Sequence, residues 1–240
     1  MENKNYDSML GMPETTLQMT YEDMLKAGMH FGRKKTVFNP AMEKFVFTVR
    51  DGICIIDLLK TQSQLGEAID FLKTIVEKNG LVLFVALTKQ SVDAVKDLAT
   101  ALGMPFVAER WLGGTLTNFK IIGGRVKLLE EMEKRQGSGE LDKYTKKERT
   151  MFAKELEKMT KRFEGLKKLS RLPDAIFVAS LKEGALPVRE AKQMNVKIIS
   201  IANTDADPLD ADFIIPANDR SKKSVDLILE TIKKELTAKS

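Results

Sequence analysis

The run Leu81-Val82-Leu83-Phe84-Val85-Ala86-Leu87 decides the fold. A continuous apolar run has no wet face, so it describes a strand covered on both sides, as in a parallel sheet. The flanking sequence repeats that pattern. Before it, Leu65, Ala68, Ile69, Leu72, Ile75 and Val76 recur at helical spacing between Thr61 and Asn79, and Gly80 stops the helix. After it come a helix from Ser91 to Leu102, ended by Gly103, and the short strand PFVAE. AIFVAS (175–180), KIISIAN (197–203) and DFIIP (212–216) are further strands. Pro187 to Met194 is a helix between the first two, and Ser224 to Leu236 is a closing helix. Strands and helices in alternation predict a doubly wound α/β fold with a mainly parallel sheet and right-handed crossovers.

Upstream, residues 1–19 carry few periodic apolar positions and read as a flexible N-terminal tail. Thr20 caps a short helix, YEDMLKAG, with Glu22 and Asp23 in its first turn and Gly28 at its end. MHFGRKKTVFNP reads as a loop that interleaves Arg33, Lys34 and Lys35 with His30, Phe31 and Phe38. Rings that stack on bases, beside cations that meet phosphates, suit RNA. A solvated loop with its phenylalanines tucked into the core has the same composition. FVFTVRDGICIIDL predicts two strands about the Asp51-Gly52 turn.

RWLGGTLTNFK, residues 110–120, is the joint between this sheet pattern and a long charged helical run that lasts to about Arg171. Gly113-Gly114 marks a sharp turn or a close approach, and Thr117-Asn118 is a good helix N-cap pair. Arg110 beside Trp111, the only tryptophan, suits a phosphate backbone or a stacked base, or else an indole that plugs the end of a core. Beyond the joint, Phe119, Ile122, Val126 and Leu129 form one heptad seam, and Phe152, Leu156, Met159, Phe163 and Leu166 a second. The sequence GSG (137–139) separates them. Two seams with a break predict an antiparallel helical hairpin at 117–171, inserted between sheet segments 20–116 and 172–240. At 1.5 Å per residue such an arm stands roughly 30 Å off the sheet.

Charge follows the same division. The 240-residue chain has a net charge of +5. Lys120 to Lys168 holds fifteen Lys and Arg against nine Asp and Glu, a net of +6, so the remainder is close to neutral. One cysteine, Cys54, excludes an internal disulfide and fits a reducing compartment. No apolar run reaches the ~18 residues of a membrane span, and no signal-peptide layout opens the chain. The expectation is an intracellular, cytoplasmic protein.

Catalytic signatures are sparse. Neither G-x-G-x-x-G after a strand nor G-x-x-x-x-G-K-[ST] occurs, so no nucleotide cradle is signalled. With one His and one Cys, a nucleophilic site would rest on His30 alone, a residue more often packed or capping, and a Cys/His zinc site is out of reach. NTDADPLDAD places Asp205, Asp207, Asp210 and Asp212 after a strand end, where they either hold a hard cation such as Mg²⁺ or form turns. Turn-forming is the stronger reading, and no cofactor or metal site is expected.

HFG near residue 30, NP at 39–40, DGICIIDLLKT, RWLGGTLTNFK, and NTDADP followed by DFIIPAND stand in the order found in the bacterial small-subunit ribosomal protein S-two family, which this chain resembles from about residue 18 to 236. The resemblance implies a flavodoxin-like domain with a coiled-coil hairpin, contacts with small-subunit rRNA, and neighbouring ribosomal proteins that include the large mRNA-binding protein S-one. Against the family's pattern, Arg33 replaces the second histidine of HFGH, and Asn203-Thr204-Asp205-Ala206-Asp207-Pro208 replaces D-T-N-x-D-P. Phe119 replaces a frequent Trp.

The reading is therefore a non-catalytic structural constituent of the small ribosomal subunit, a ribonucleoprotein component in translation. Arg33, Lys34, Lys35, Arg110, Trp111, Lys120, Arg125, Lys127, Lys158 and Arg162 are the candidate RNA-binding residues. The rival is a small α/β enzyme acting on phosphorylated sugars or nucleotides, with polar loops at Thr88-Lys89-Gln90 and Ser180-Leu181-Lys182.

Overall fold

The computed structural model describes residues 19–138 and 143–237. The tail up to residue 18, and Gly139 of the GSG break, lie outside the described residues. Met19, read as the end of that tail, is buried in the core.

The apolar run is β4 (Val82–Val85), buried at every position. It pairs in parallel with β5 (Phe106–Val107) and with β6 (Ala175–Val178). The sheet continues through β7 (Lys197–Ala202) to β8 (Phe213–Pro216), in the order β5-β4-β6-β7-β8. In chain order this is the 2-1-3-4-5 arrangement of flavodoxin-like sheets, with its reversal of direction between β4 and β6. Alternate residues face opposite ways. Val82 and Phe84 therefore join one apolar cluster and Leu83 and Val85 the other.

Helices cover both faces. On the Phe84 face lie α2 (Leu58–Glu77), α3 (Val92–Ala101) and α7 (Lys222–Thr237). On the Val85 face lie α4 (Phe119–Gly137), α5 (Lys146–Phe163) and α6 (Ala185–Gln193). α2 begins three residues earlier than its apolar spacing indicates, because Asp57 accepts the Leu59 N–H as an N-cap. Its end is a Schellman motif: Asn79 takes the left-handed conformation (φ 52), and the Gly80 N–H reaches the Ile75 carbonyl.

The N-terminal segment differs from its reading as a loop. After α1 (Tyr21–Lys26, capped by Thr20), Phe31–Lys34 forms strand β1. β1 pairs antiparallel with β3 (Ile53–Ile56), which also pairs with β2 (Val46–Arg50) to make a separate three-stranded sheet, β1-β3-β2. The β2–β3 hairpin turns at Asp51 and Gly52, both at positive φ (50 and 74), as a primed turn requires.

The helical pair is present, and the seam positions named above are its buried or half-buried residues, within the Val85-face cluster. Glu133, near the end of α4, is salt-bridged to Lys167 at 2.7 Å, and Gln136 lines the same cleft as Phe106 and Lys96. The first of these contacts lies within the inserted segment, and the second sets the end of α4 beside β5. Among the described residues, 134–138 at the end of α4 and 143–151 into the start of α5 are exposed at every position.

Candidate nucleic-acid interface

The joint is organised by a residue the sequence reading missed. Trp111 is buried, with 5% of its surface exposed, and its indole N–H donates to Glu190 Oε1 at 2.9 Å. The Gly114 N–H donates to the same oxygen (2.9 Å), and the Leu116 and Thr117 N–H groups to Oε2 (3.0 and 3.3 Å). Gly114, at φ +90, makes the turn that aims these donors inward. Burial pushes the Glu190 carboxyl up, but the hydrogen bonds from Trp111, Gly114, Leu116 and Thr117 outweigh it and leave it below the ordinary Glu value. Trp111 is thus a core anchor with no free face for a base, which removes it from the RNA-facing set. Asn118 precedes α4 without a side-chain cap bond, because Glu190 takes over the anchoring of this turn. The signal was legible in principle: Glu190 falls among the buried positions Pro187, Val188 and Ala191 of α6, an acid on an apolar face.

The second joint locks the small sheet to the large one. The Arg33 side chain donates to Asp205 Oδ2 at 3.2 Å, Lys182 meets the same oxygen at 2.7 Å, and the Arg33 backbone N–H donates to Thr204 Oγ1 at 2.8 Å. Burial raises the Asp205 carboxyl, and its bonds from Lys182 and Arg33 reverse this to a net lowering. At Gly32 a Cβ would come within 2.7 Å of the Cys54 carbonyl and of Thr204, so only glycine permits this approach. Arg33 is therefore mainly an internal tie.

The other predicted cations are displayed. Lys34, Lys35, Arg110, Lys120, Arg125, Lys127, Lys158 and Arg162 are all exposed, and no ion pair engages them among the described residues. The fold brings Arg110 and Arg162 to one cleft of about 390 Å³, where Lys96 and Lys161 add charge that the sequence reading did not include. Glu109, Glu157 and Glu164 line it too, and Lys161 is paired with Glu157 at 2.8 Å. Lys34 and Lys35 belong to the small sheet, a second cationic region.

The acidic loop separates rather than converges. Asp205 holds Arg33 and Lys182, Asp207 caps the Leu209 N–H, Asp210 meets Lys192 (2.6 Å), and Asp212 meets Lys197 (2.7 Å) and the Ile198 N–H. Among the described residues no group of His, Cys, Asp and Glu is arranged to hold a metal ion. The polar residues at the strand ends also satisfy one another: Ser180 donates to Asp219 (2.6 Å), Asn203 donates to Asp219 (3.1 Å), and Thr88 pairs with Ser91 (2.9 Å). The chain's own N-terminal segment caps the ends of β7 and β8. Asn39 N–H donates to the Thr204 carbonyl, and Asn218 bonds the carbonyls of Gly28 and Met29. His30 packs its ring on Phe31 at 4.0 Å, and burial lowers its pKa.

The chain is an α/β protein with a flavodoxin-like sheet whose strand-end polar residues satisfy one another, and with exposed cations outside it. The model of the family described as Ribosomal protein S2 matches residues 24–238, and the chain belongs to that family. A protein named small ribosomal subunit protein uS2 from Thermus thermophilus is 42% identical over 213 residues, covering 89% of this chain and 83% of the relative. A protein of the same name from Bifidobacterium longum is 42% identical over 216 residues, covering 88% and 75%.

Proposed function

We propose that this protein is a structural constituent of the small ribosomal subunit that binds small-subunit rRNA in the cytoplasm and performs no chemical step of its own. The single observation that carries this reading is the family match along nearly the whole chain. The exposed cations supply a physical means: they meet phosphates, and A-form RNA is recognised by shape and backbone contacts. In this reading the inserted helical segment 117–171 presents Arg125, Lys127, Lys158 and Arg162, while Lys34 and Lys35 act from the small sheet. Neighbouring small-subunit proteins, including the large mRNA-binding protein S-one, complete its contacts.

The test is co-sedimentation with small subunits depleted of this protein, over a range of salt. Association should weaken steeply, log K falling against log[salt] by roughly 0.7–0.9 per phosphate contact. A flat response, or absence from the particle, refutes the reading.

A further inference from the structure

The small sheet has one face that the described residues leave open. Cross-strand partners share a face. Phe31 and Thr48 therefore flank Ile55 in one row, and Lys34 and Arg50 flank Ile53 in the next. The opposite face carries Arg33, Cys54 and Ile56 and is the one turned to Thr204 and Asp205. On the open side Phe31 is 47% exposed, and Phe47, at the β2 bulge, is 74% exposed. Lys34, Lys35 and Arg50 are exposed beside them. The adjoining carboxylate is Asp51, exposed at the turn, 3.9 Å from Arg50. β1 and β2 are two strand spacings apart, roughly 10 Å.

An apolar patch meant for a protein core would not end in a row that carries Lys34 and Arg50, with Lys35 next along the chain. A solvated sheet face would not spend two phenylalanines. Phe47, and Phe31 on the side that His30 leaves exposed, set among cations on an antiparallel sheet, complement a polyanion whose bases are unpaired, since every base has a face to stack and every linkage a phosphate. We infer that the outer face of β1-β3-β2 binds an unpaired RNA strand, with Phe31 and Phe47 stacking bases and Lys34, Lys35 and Arg50 contacting phosphates. This rests on the RNA-binding reading above and assigns to one face a strand state that the duplex-tolerant cations elsewhere do not require.

The experiment measures binding of the full chain by fluorescence anisotropy to an unstructured oligoadenylate and to a fully paired RNA duplex of equal length. Phe47→Ala should weaken the single strand by roughly 5- to 150-fold, the loss of one stacked base, and leave the duplex unchanged. Phe47→Trp should restore or exceed the parent affinity. Phe47 is largely solvent-exposed, so folding is not at stake; circular dichroism confirms this for Phe31→Ala, which should show the same selective loss. Lys34→Gln with Arg50→Gln should lower the salt slope. A single-strand affinity unchanged within about twofold, or an equal loss on the duplex, overturns the inference while the RNA-binding reading stands. Duplex binding without any single-strand binding also overturns it and leaves the face to a protein partner. Binding of neither RNA overturns both.

Discussion

Replacing Glu190 by Gln tests whether one buried carboxylate builds the joint between sheet and helical segment. Its two oxygens accept from the indole of Trp111, three backbone N–H groups and the Thr117 hydroxyl. A glutamine offers one accepting oxygen and turns an NH₂ group toward donors that have no other acceptor. At roughly 1.5–3 kcal/mol for each bond to a charged group, loss of two such bonds costs about 3–6 kcal/mol. For a chain of this size each kcal/mol moves Tm by about 2–4 °C, so the variant should melt roughly 6–24 °C lower. Urea denaturation supplies the free energy. Emission from Trp111, the sole tryptophan, reports the site itself and should shift to the red as the indole loosens. The pH dependence has a defined sign. The folded carboxyl lies below the ordinary value of 4.5, so its contribution is fully present above that pH and is lost as pH falls through the folded value. The stability gap between parent and variant should thus be constant near neutrality and close in acid. An unchanged Tm with unchanged Trp111 emission would refute the account.

Gly32→Ala forces a methyl group against the Cys54 carbonyl and Thr204, and should cost about 1–3 kcal/mol in urea melts with faster amide exchange at Arg33. A neutral outcome would mean the two sheets are not locked there. Cys54 is 1% exposed, and burial raises its thiol above the ordinary value. It should resist Ellman's reagent in the native protein and react on unfolding; rapid stoichiometric labelling of the folded chain would contradict the packing.

Features that depend on neighbours along the chain were legible from the residues alone. A run with no polar face at 81–87 has to be a doubly covered strand, Asp51-Gly52 has to turn, and heptad seams have to face something apolar. Which distant group each polar or amphipathic residue meets was settled by the folded chain. Phe31–Lys34 carries too little alternation to announce a strand, and its pairing with β3 supplies the order that its own residues lack. The seams of α4 and α5 fit each other and a sheet equally well by spacing; in the fold their residues join the cluster that also holds Leu83, Val85 and Ile176 of the sheet. Arg33 had the composition of a phosphate ligand, but Asp205, 172 positions away, claims it. Trp111 could have stacked or packed, and Glu190, 79 positions along, made it pack. Local periodicity is set by backbone geometry, whereas an ion pair or a buried hydrogen bond is set by which surfaces the folded chain brings within about 3 Å.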